Sequence, residues 1–409
     1  MIARTARAGR LAALLLLAGA VQAVPVQQAS ADQPAFSAVG APADRRDVVT
    51  WGASADRLGD GVADRAYRLV VHTSVGGTGL RIRLSNAFGD RPITFDNVYA
   101  GTQKTGAELV AGSNRPVTFE GTRSVTVPAG AVVLSDPLPG RAAPATNLVV
   151  SIHSPDAAGP ATGHGMAMQN SYVTTGDHTA ETGAANWTVT TGSWYYLDSV
   201  SVRPSKGTSA VVTLGDSITD GWQSTTDLNR RWPDYLARRL QKAGSEIQGV
   251  ANEGISGNKV LADGAGQSAL NRLERDVLSQ PGVRTVFLFE GVNDIKAHSG
   301  VTAQDMIAGY REIARRAHAA GKCVIGATVA PFKGWPEWDS AAEAVRQEVN
   351  AYIRDNSEFD GYVDFDHILR SPYDQERMLP FLDGGDHIHP NDKGMAAMAD
   401  AVDLKKLGC

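Results

Sequence analysis

The stretch "VVTLGDSITDG" (residues 211–221) marks a change of pattern along the chain and decides how its second half folds. Val211 to Leu214 is a short, mostly β-branched run of the kind that fills a buried parallel strand. Gly215 and Gly221 then allow a sharp exit and a close approach of backbone to a ligand. Ser217 stands in the loop between them, and its neighbour Asp216 reads as a residue of loop geometry rather than of proton transfer.

C-terminal to this stretch the rhythm is strand, loop, helix. Strands are expected near 211–214, 246–251, 284–289, 323–329 and 361–365. Helical patterns lie near 232–242, 266–279, 302–319 and 339–355, with a last one after Pro390. The 302–319 segment opens with Thr302-x-x-Asp305, a capping arrangement, and puts Ile313, Ala314 and Ala317 on one face. This alternation predicts an α/β domain over 211–409, a five-stranded parallel sheet flanked by helices, with right-handed crossovers. Ligands of such sheets bind beyond the carboxyl ends of the strands.

N-terminal to residue 203 the pattern is different. Short alternating runs such as "LRIRL" (80–84), "PVTFE" (116–120), "SVTVPAGAVVL" (124–134), "NLVVSI" (147–152) and "SWYYL" (193–197) are separated by Gly, Pro, Asn and Asp. Leu80, Ile82 and Leu84 face one way and Arg81 and Arg83 the other, as in a half-buried antiparallel strand. An all-β sandwich, jelly-roll-like, is expected over 36–202, followed by the linker "RPSKGTSA" (203–210). Arg4, Arg7 and Arg10 precede the apolar run "LAALLLLAGA" (11–20), which is shorter than the ~20 residues a bilayer span needs. With small residues following, residues 1–31 read as a secretory signal peptide cleaved after Ala23 or Ala31, and the mature protein as extracellular.

Composition agrees with a globular chain: 43% of the 409 residues are hydrophobic and 20% charged. The formal net charge of −5, without a long basic run, argues against nucleic acid as a partner. No segment after the signal is apolar and long enough to span a membrane, and no internal repeat is found.

Polar residues follow each relevant strand end. After the first comes Ser217, after the second "NEGISGN" (252–258), after the third "EGVNDI" (290–295), and past the fifth "DGGDHIHPND" (383–392). These segments resemble the sequence blocks of the SGNH hydrolases in the GDSL esterase and lipase superfamily. "GDSITDG" is similar to the first block, with Ser217 at the nucleophile position and Ile218 in place of the usual leucine. "GISGN" resembles the second and puts the block glycine at Gly257, "GVND" the third at Asn293, and "DHIHP" the last at Asp386 and His389. The likeness covers about 208 to 400 and implies a flavodoxin-like sheet and a serine hydrolase of carboxylic esters, with no cofactor or metal. The β-rich half together with this one also resembles a group of secreted bacterial GDSL-type proteins.

Chemistry supports the same roles. A serine hydroxyl is a poor nucleophile until a base takes its proton, and His389 is the expected base. Asp386, three residues earlier, would hold the imidazole's tautomer. The oxyanion needs donors, expected from the backbone N–H groups of Ser217 and Gly257 and the side-chain amide of Asn293. Weighed against this, Gly257 could be a plain turn glycine and Asn293 a loop anchor. His387 competes with His389, and Asp383 with Asp386. The cluster Asp383, Asp386, His387, His389 and Asp392 invites a metal reading, but zinc hydrolases draw ligands from several elements and need no serine loop. His164 and His178 are read as structural residues of the β half, with a substrate-facing role as the alternative. Trp335 and Trp338, after strand four, either line the substrate cleft or pin the next helix. The substrate classes expected are lipid, acylated or acetylated glycan, or small esters. A carbohydrate O-acetylesterase is one alternative, and an inactive surface-binding protein another.

The two cysteines form a further expectation. Export places Cys323 and Cys409 in an oxidising compartment. Cys323 begins strand four at the amino edge of the sheet. About fifteen helical residues after His389 span ~22 Å, enough to return Cys409 to that edge, so a disulfide is expected.

Overall fold

The computed structural model describes residues 37–39 and 43–409, apart from 158 and 356; the expected signal peptide, 1–31, lies outside the described residues. In the second half five strands form one parallel sheet, β1 (Ser209–Gly215), β2 (Ile247–Gly254), β3 (Val283–Phe289), β4 (Cys323–Ala327) and β5 (Gly361–Val363). Their order is β2-β1-β3-β4-β5, the flavodoxin-like 2-1-3-4-5 winding, which places a topological switch between β1 and β3. The expected strands all form, with ends shifted. The run expected over 361–365 stops at Val363 because Asp364 caps a helix, accepting from His367 N–H at 3.0 Å.

The helices are α1 (Ser217–Asp220), α2 (Trp232–Ala243), α3 (Ala269–Arg272), α4 (Val292–Lys296), α5 (Ala303–Ala319), α6 (Ser340–Asp355), α7 (Phe365–Leu369) and α8 (Asp392–Ala401). The capping box of Thr302 and Asp305 opens α5 as the spacing predicts, and Ile313, Ala314 and Ala317 are buried. The pattern over 266–279 instead gives the single turn α3, followed by a π-helical segment over Leu273–Leu278. After Pro390 the helix is only ten residues long; a 3₁₀ turn over Leu404–Gly408 finishes the return to the amino edge. There Arg284 Nη2 donates to Gly408 O at 2.7 Å. Cys409 is disulfide-bonded to Cys323, with Cα atoms 6.1 Å apart.

The N-terminal part is all β. A six-stranded and a seven-stranded sheet, with two smaller ones, enclose a core that includes Leu69, Ile82, Leu84, Val150 and Val200. This matches the sandwich expectation, but one strand differs in its outer face. In Gly77–Ser85 the arginines are not on a solvated face: Arg81 and Arg83 are 8% and 7% exposed. Arg83 donates to Asp198 Oδ1 at 2.8 Å and to Ser279 Oγ at 3.0 Å. Ser279 lies just past the π segment, so the face expected in water is covered by the α/β part.

The described residues all belong to one compact unit. The β2 edge of the parallel sheet, a liability if left open, is closed by the β-rich part. Ala53 pairs with Asn252, and Val250 N–H donates to Ser74 Oγ at 2.9 Å.

Candidate active site

The residues that follow β1, β2 and β3 meet the last loop at one rim. α1 begins at Ser217, and Asp216 caps it by accepting from Ile218 N–H at 3.0 Å. A Cβ at Gly215 would overlap Phe289 O and Thr219 Oγ1, so a glycine is what lets the serine loop turn this tightly. Ser217 Oγ lies 2.8 Å from His389 Nε2. His389 Nδ1 lies 2.7 Å from Asp386 Oδ2, and the other oxygen of Asp386 accepts from His389 N–H at 2.9 Å. Because Nδ1 faces a carboxylate it carries the proton, which leaves Nε2 to accept from the serine hydroxyl. Asp386 therefore both selects the tautomer and holds the backbone that carries the ring.

The electrostatics suit a base. Burial pushes the His389 imidazole below its ordinary value; Asp386 opposes this and the Lys296 ammonium adds to it. Burial alone would raise the Asp386 carboxyl, but the backbone and ring N–H groups of His389 outweigh it and hold it below the ordinary range. Asp216 moves the other way: burial pushes its carboxyl up to about 7.

The three expected oxyanion donors follow the ends of β1, β2 and β3. The Ser217 amide is at the start of α1, where a helix leaves donors unsatisfied. Gly257 lies at φ +83° in the turn closed by Asn258 N–H to Ile255 O at 3.0 Å, a conformation that type II turns require of their third residue. Gly257 is thus a turn glycine, whatever else its N–H does. Asn293 sits in the first turn of α4 and is 6% exposed. Its Nδ2 donates one hydrogen to Asn258 O at 2.9 Å, so the loop-anchor reading holds for half of that amide while the second hydrogen stays available.

The competing histidine and carboxylates are engaged separately. His387 Nδ1 faces Asp383 Oδ2 at 2.7 Å, with the ring 48% exposed. Asp392 accepts from Thr225 Oγ and Arg230 Nη1 at 2.6 and 2.8 Å. The acidic and histidine cluster is therefore partitioned into pairs. His178 pairs with Glu181 at 2.7 Å. Trp335 stands edge-on to His389 at 6.0 Å between ring centroids, and both Trp335 and Trp338 pack against the core.

Sequence reasoning missed several groups that shape this rim. Trp222, 45% exposed, also lies edge-on to His389, at 6.3 Å between ring centroids. Arg272 is fully buried and donates to Gly215 O at 3.0 Å, Glu253 O at 2.6 Å and Asn258 Oδ1 at 2.9 Å, tying the first two loops together from behind. Burial raises the adjacent Glu253 to about 8. The available signal was periodicity: Ala269, Arg272, Leu273, Asp276 and Val277 make a buried helical stripe, and charges on such a stripe require buried partners.

Residues 213–397 match the family model of the GDSL-like lipase/acylhydrolase family. No curated protein matches the chain. Among solved structures the chain is similar to an acetylxylan esterase from Geobacillus stearothermophilus, with 22% identity and a TM-score of 0.38 over 50% of this chain and 97% of that one. It is also similar to a GDSL-like lipase from Bacteroides thetaiotaomicron, with 22% identity and a TM-score of 0.36 over 47% and 84%. A carbohydrate acetylesterase from Sinorhizobium meliloti gives 18% identity and a TM-score of 0.39 over 47% and 95%. Ser217, Gly257, Asn293, Asp386 and His389 all lie inside the segment, residues 213–397, that matches the model of the GDSL-like lipase/acylhydrolase family.

Proposed function

We propose that the chain is an exported serine hydrolase that cleaves carboxylic esters. The observation that carries this reading is the unbroken line from Ser217 Oγ through His389 to Asp386, with separations of 2.8 and 2.7 Å. His389 Nε2 takes the hydroxyl proton as Ser217 Oγ bonds to the ester carbonyl carbon. The carbonyl electron pair moves onto oxygen, where the Ser217 and Gly257 N–H groups and the free hydrogen of Asn293 receive it. Each such donor typically lowers the barrier by ~3–4 kcal/mol. The pair then returns, the alkoxide leaves with the proton from His389, and water repeats the sequence on the acyl-enzyme. Asp386 stabilises the imidazolium in both halves. The basic, apolar N-terminus supports export of the enzyme to the extracellular space.

A second reading, an O-acetylesterase of carbohydrates, is favoured by one observation. Trp222 and Trp335 both lie beside His389, at 6.3 and 6.0 Å between ring centroids, and the exposed indole of Trp222 suits the apolar face of a sugar. The two readings separate on a panel of p-nitrophenyl esters of increasing chain length and acetylated xylan. Turnover of the short p-nitrophenyl esters is expected. Release of acetate from xylan alone would favour the carbohydrate reading, and no turnover of any member would overturn both.

A further inference from the structure

His164, from the β-rich part, reaches underneath the catalytic rim. It ends the strand Pro160–His164 and is 5% exposed. Its Nδ1 lies 2.9 Å from Ser54 O, and its Nε2 lies 2.9 Å from Asp220 Oδ1 and 3.0 Å from Met166 O. Carbonyl and carboxylate oxygens only accept, so both ring nitrogens must donate. A neutral imidazole has one N–H and the imidazolium has two. His164 is therefore held as a cation. Burial alone would lower its pKa, but the charge and hydrogen bond of Asp220, with the two carbonyls, outweigh burial and the net direction is up.

Asp220 carries this contact to the site. It closes α1, one turn after Ser217, and is 3% exposed. Its second oxygen accepts from both the N–H and the Oγ of Ser256, each at 2.9 Å. Ser256 is the residue before Gly257. A Cβ at Gly254 would overlap Asp220 N, so this loop and α1 are also in direct backbone contact. The line from Ser54 through His164 and Asp220 to Ser256 thus ends one residue from a proposed oxyanion donor.

We propose that His164 is a positioning residue: through Asp220 it fixes the 254–258 loop relative to Ser217, so that the β-rich part completes the active site. This rests on the serine-hydrolase reading above. Without the imidazolium the buried Asp220 carboxylate loses its counter-charge and would have to take up a proton or draw in water. Either changes what Ser256 donates to, and a displacement of ~1 Å at a reacting centre can cost ~100-fold in rate. The charged groups around His164 are few. Among the described residues Asp220 is the one charged group that touches it; Glu253 and Arg272 stand behind Ser54, and Arg231 lies across the Trp194 ring, itself 5.6 Å from the imidazole.

The test is the pH dependence of kcat and KM for p-nitrophenyl acetate, measured on the full chain and on H164A and H164Q, with folding followed by circular dichroism. In the wild type kcat is expected to fall on the alkaline side, as His164 loses its proton, while the fold persists. His164→Ala should lower kcat by roughly 10–100-fold with KM within about twofold and should remove the alkaline limb. His164→Gln, whose amide can still donate to Asp220, should recover part of the rate and also lack that limb. Wild-type kcat flat through alkaline pH, or an H164Q profile superposable on the wild type, would overturn the proposal even if H164A does not fold. Absence of ester turnover in the wild type would instead overturn the serine-hydrolase reading itself.

Discussion

In the proposed mechanism Ser217 acts only while His389 is neutral, so the state of that imidazole sets the acid side of activity. Burial and the Lys296 ammonium lower its pKa and Asp386 raises it, with a net direction downward. A general base with a lowered pKa is available at lower pH than an ordinary histidine. We therefore expect kcat/KM to rise with pH and reach half its plateau below ~6.5. Lys296→Ala removes a positive charge that disfavours the imidazolium, so it should move this midpoint upward; a pH–rate profile of the variant checks it, and a downward shift would contradict the assignment. The three histidines nearest the site differ for reasons visible in their partners. His389 has a carboxylate on one nitrogen and a hydroxyl on the other, His387 has Asp383 and solvent, and His164 has acceptors on both sides.

Among the elements, the ends of strands carry the site, and there the glycines are constrained most. Gly257 at φ +83° lies where a Cβ would come within 3.0 Å of Ala265 Cβ. Gly257→Ala should cost about 1–2 kcal/mol for the left-handed backbone alone, and should lower kcat if its N–H receives the oxyanion. Thermal melting and kinetics on the same variant separate the two effects: a lowered Tm with unchanged kcat would leave Gly257 as a turn glycine only. Much at this scale was legible in sequence, because strand runs such as "VVTL" and "TVFLF" are bounded by loop residues. The block residues of the rim followed from the spacing of serine, asparagine and Asp-x-x-His against those strand ends. Where the reading fell short, a tertiary partner was responsible. The "LRIRL" strand alternates as a half-buried strand should, yet Arg83 is buried because Asp198 and Ser279 receive it. Likewise α4 is too short to show periodicity, and His164 has no local signal for a partner 56 residues away in the chain.

For the whole molecule, two long-range links join distant parts of the chain: a covalent one at the amino edge of the sheet and a polar one beneath the catalytic rim. The Cys323–Cys409 bridge spans 86 residues, and closing a loop of that length stabilises by roughly 4–5 kcal/mol in the chain-entropy model. The denatured, unreduced protein should present no alkylatable thiol by mass spectrometry, and reduction should lower Tm; alkylation of both cysteines would contradict the bridge. At the other edge the β-rich part closes β2 and delivers His164 to Asp220, so the two halves share one polar core rather than meeting as a module and its appendage. The proposed function rests on Ser217 as the nucleophile. The most direct measurement is peptide mass mapping after treatment of the native protein with a fluorophosphonate. The expected result is a single adduct on Ser217, absent from Ser217→Ala and strongly slowed in His389→Ala. An adduct on another residue, or none on a folded wild-type protein, would contradict the account.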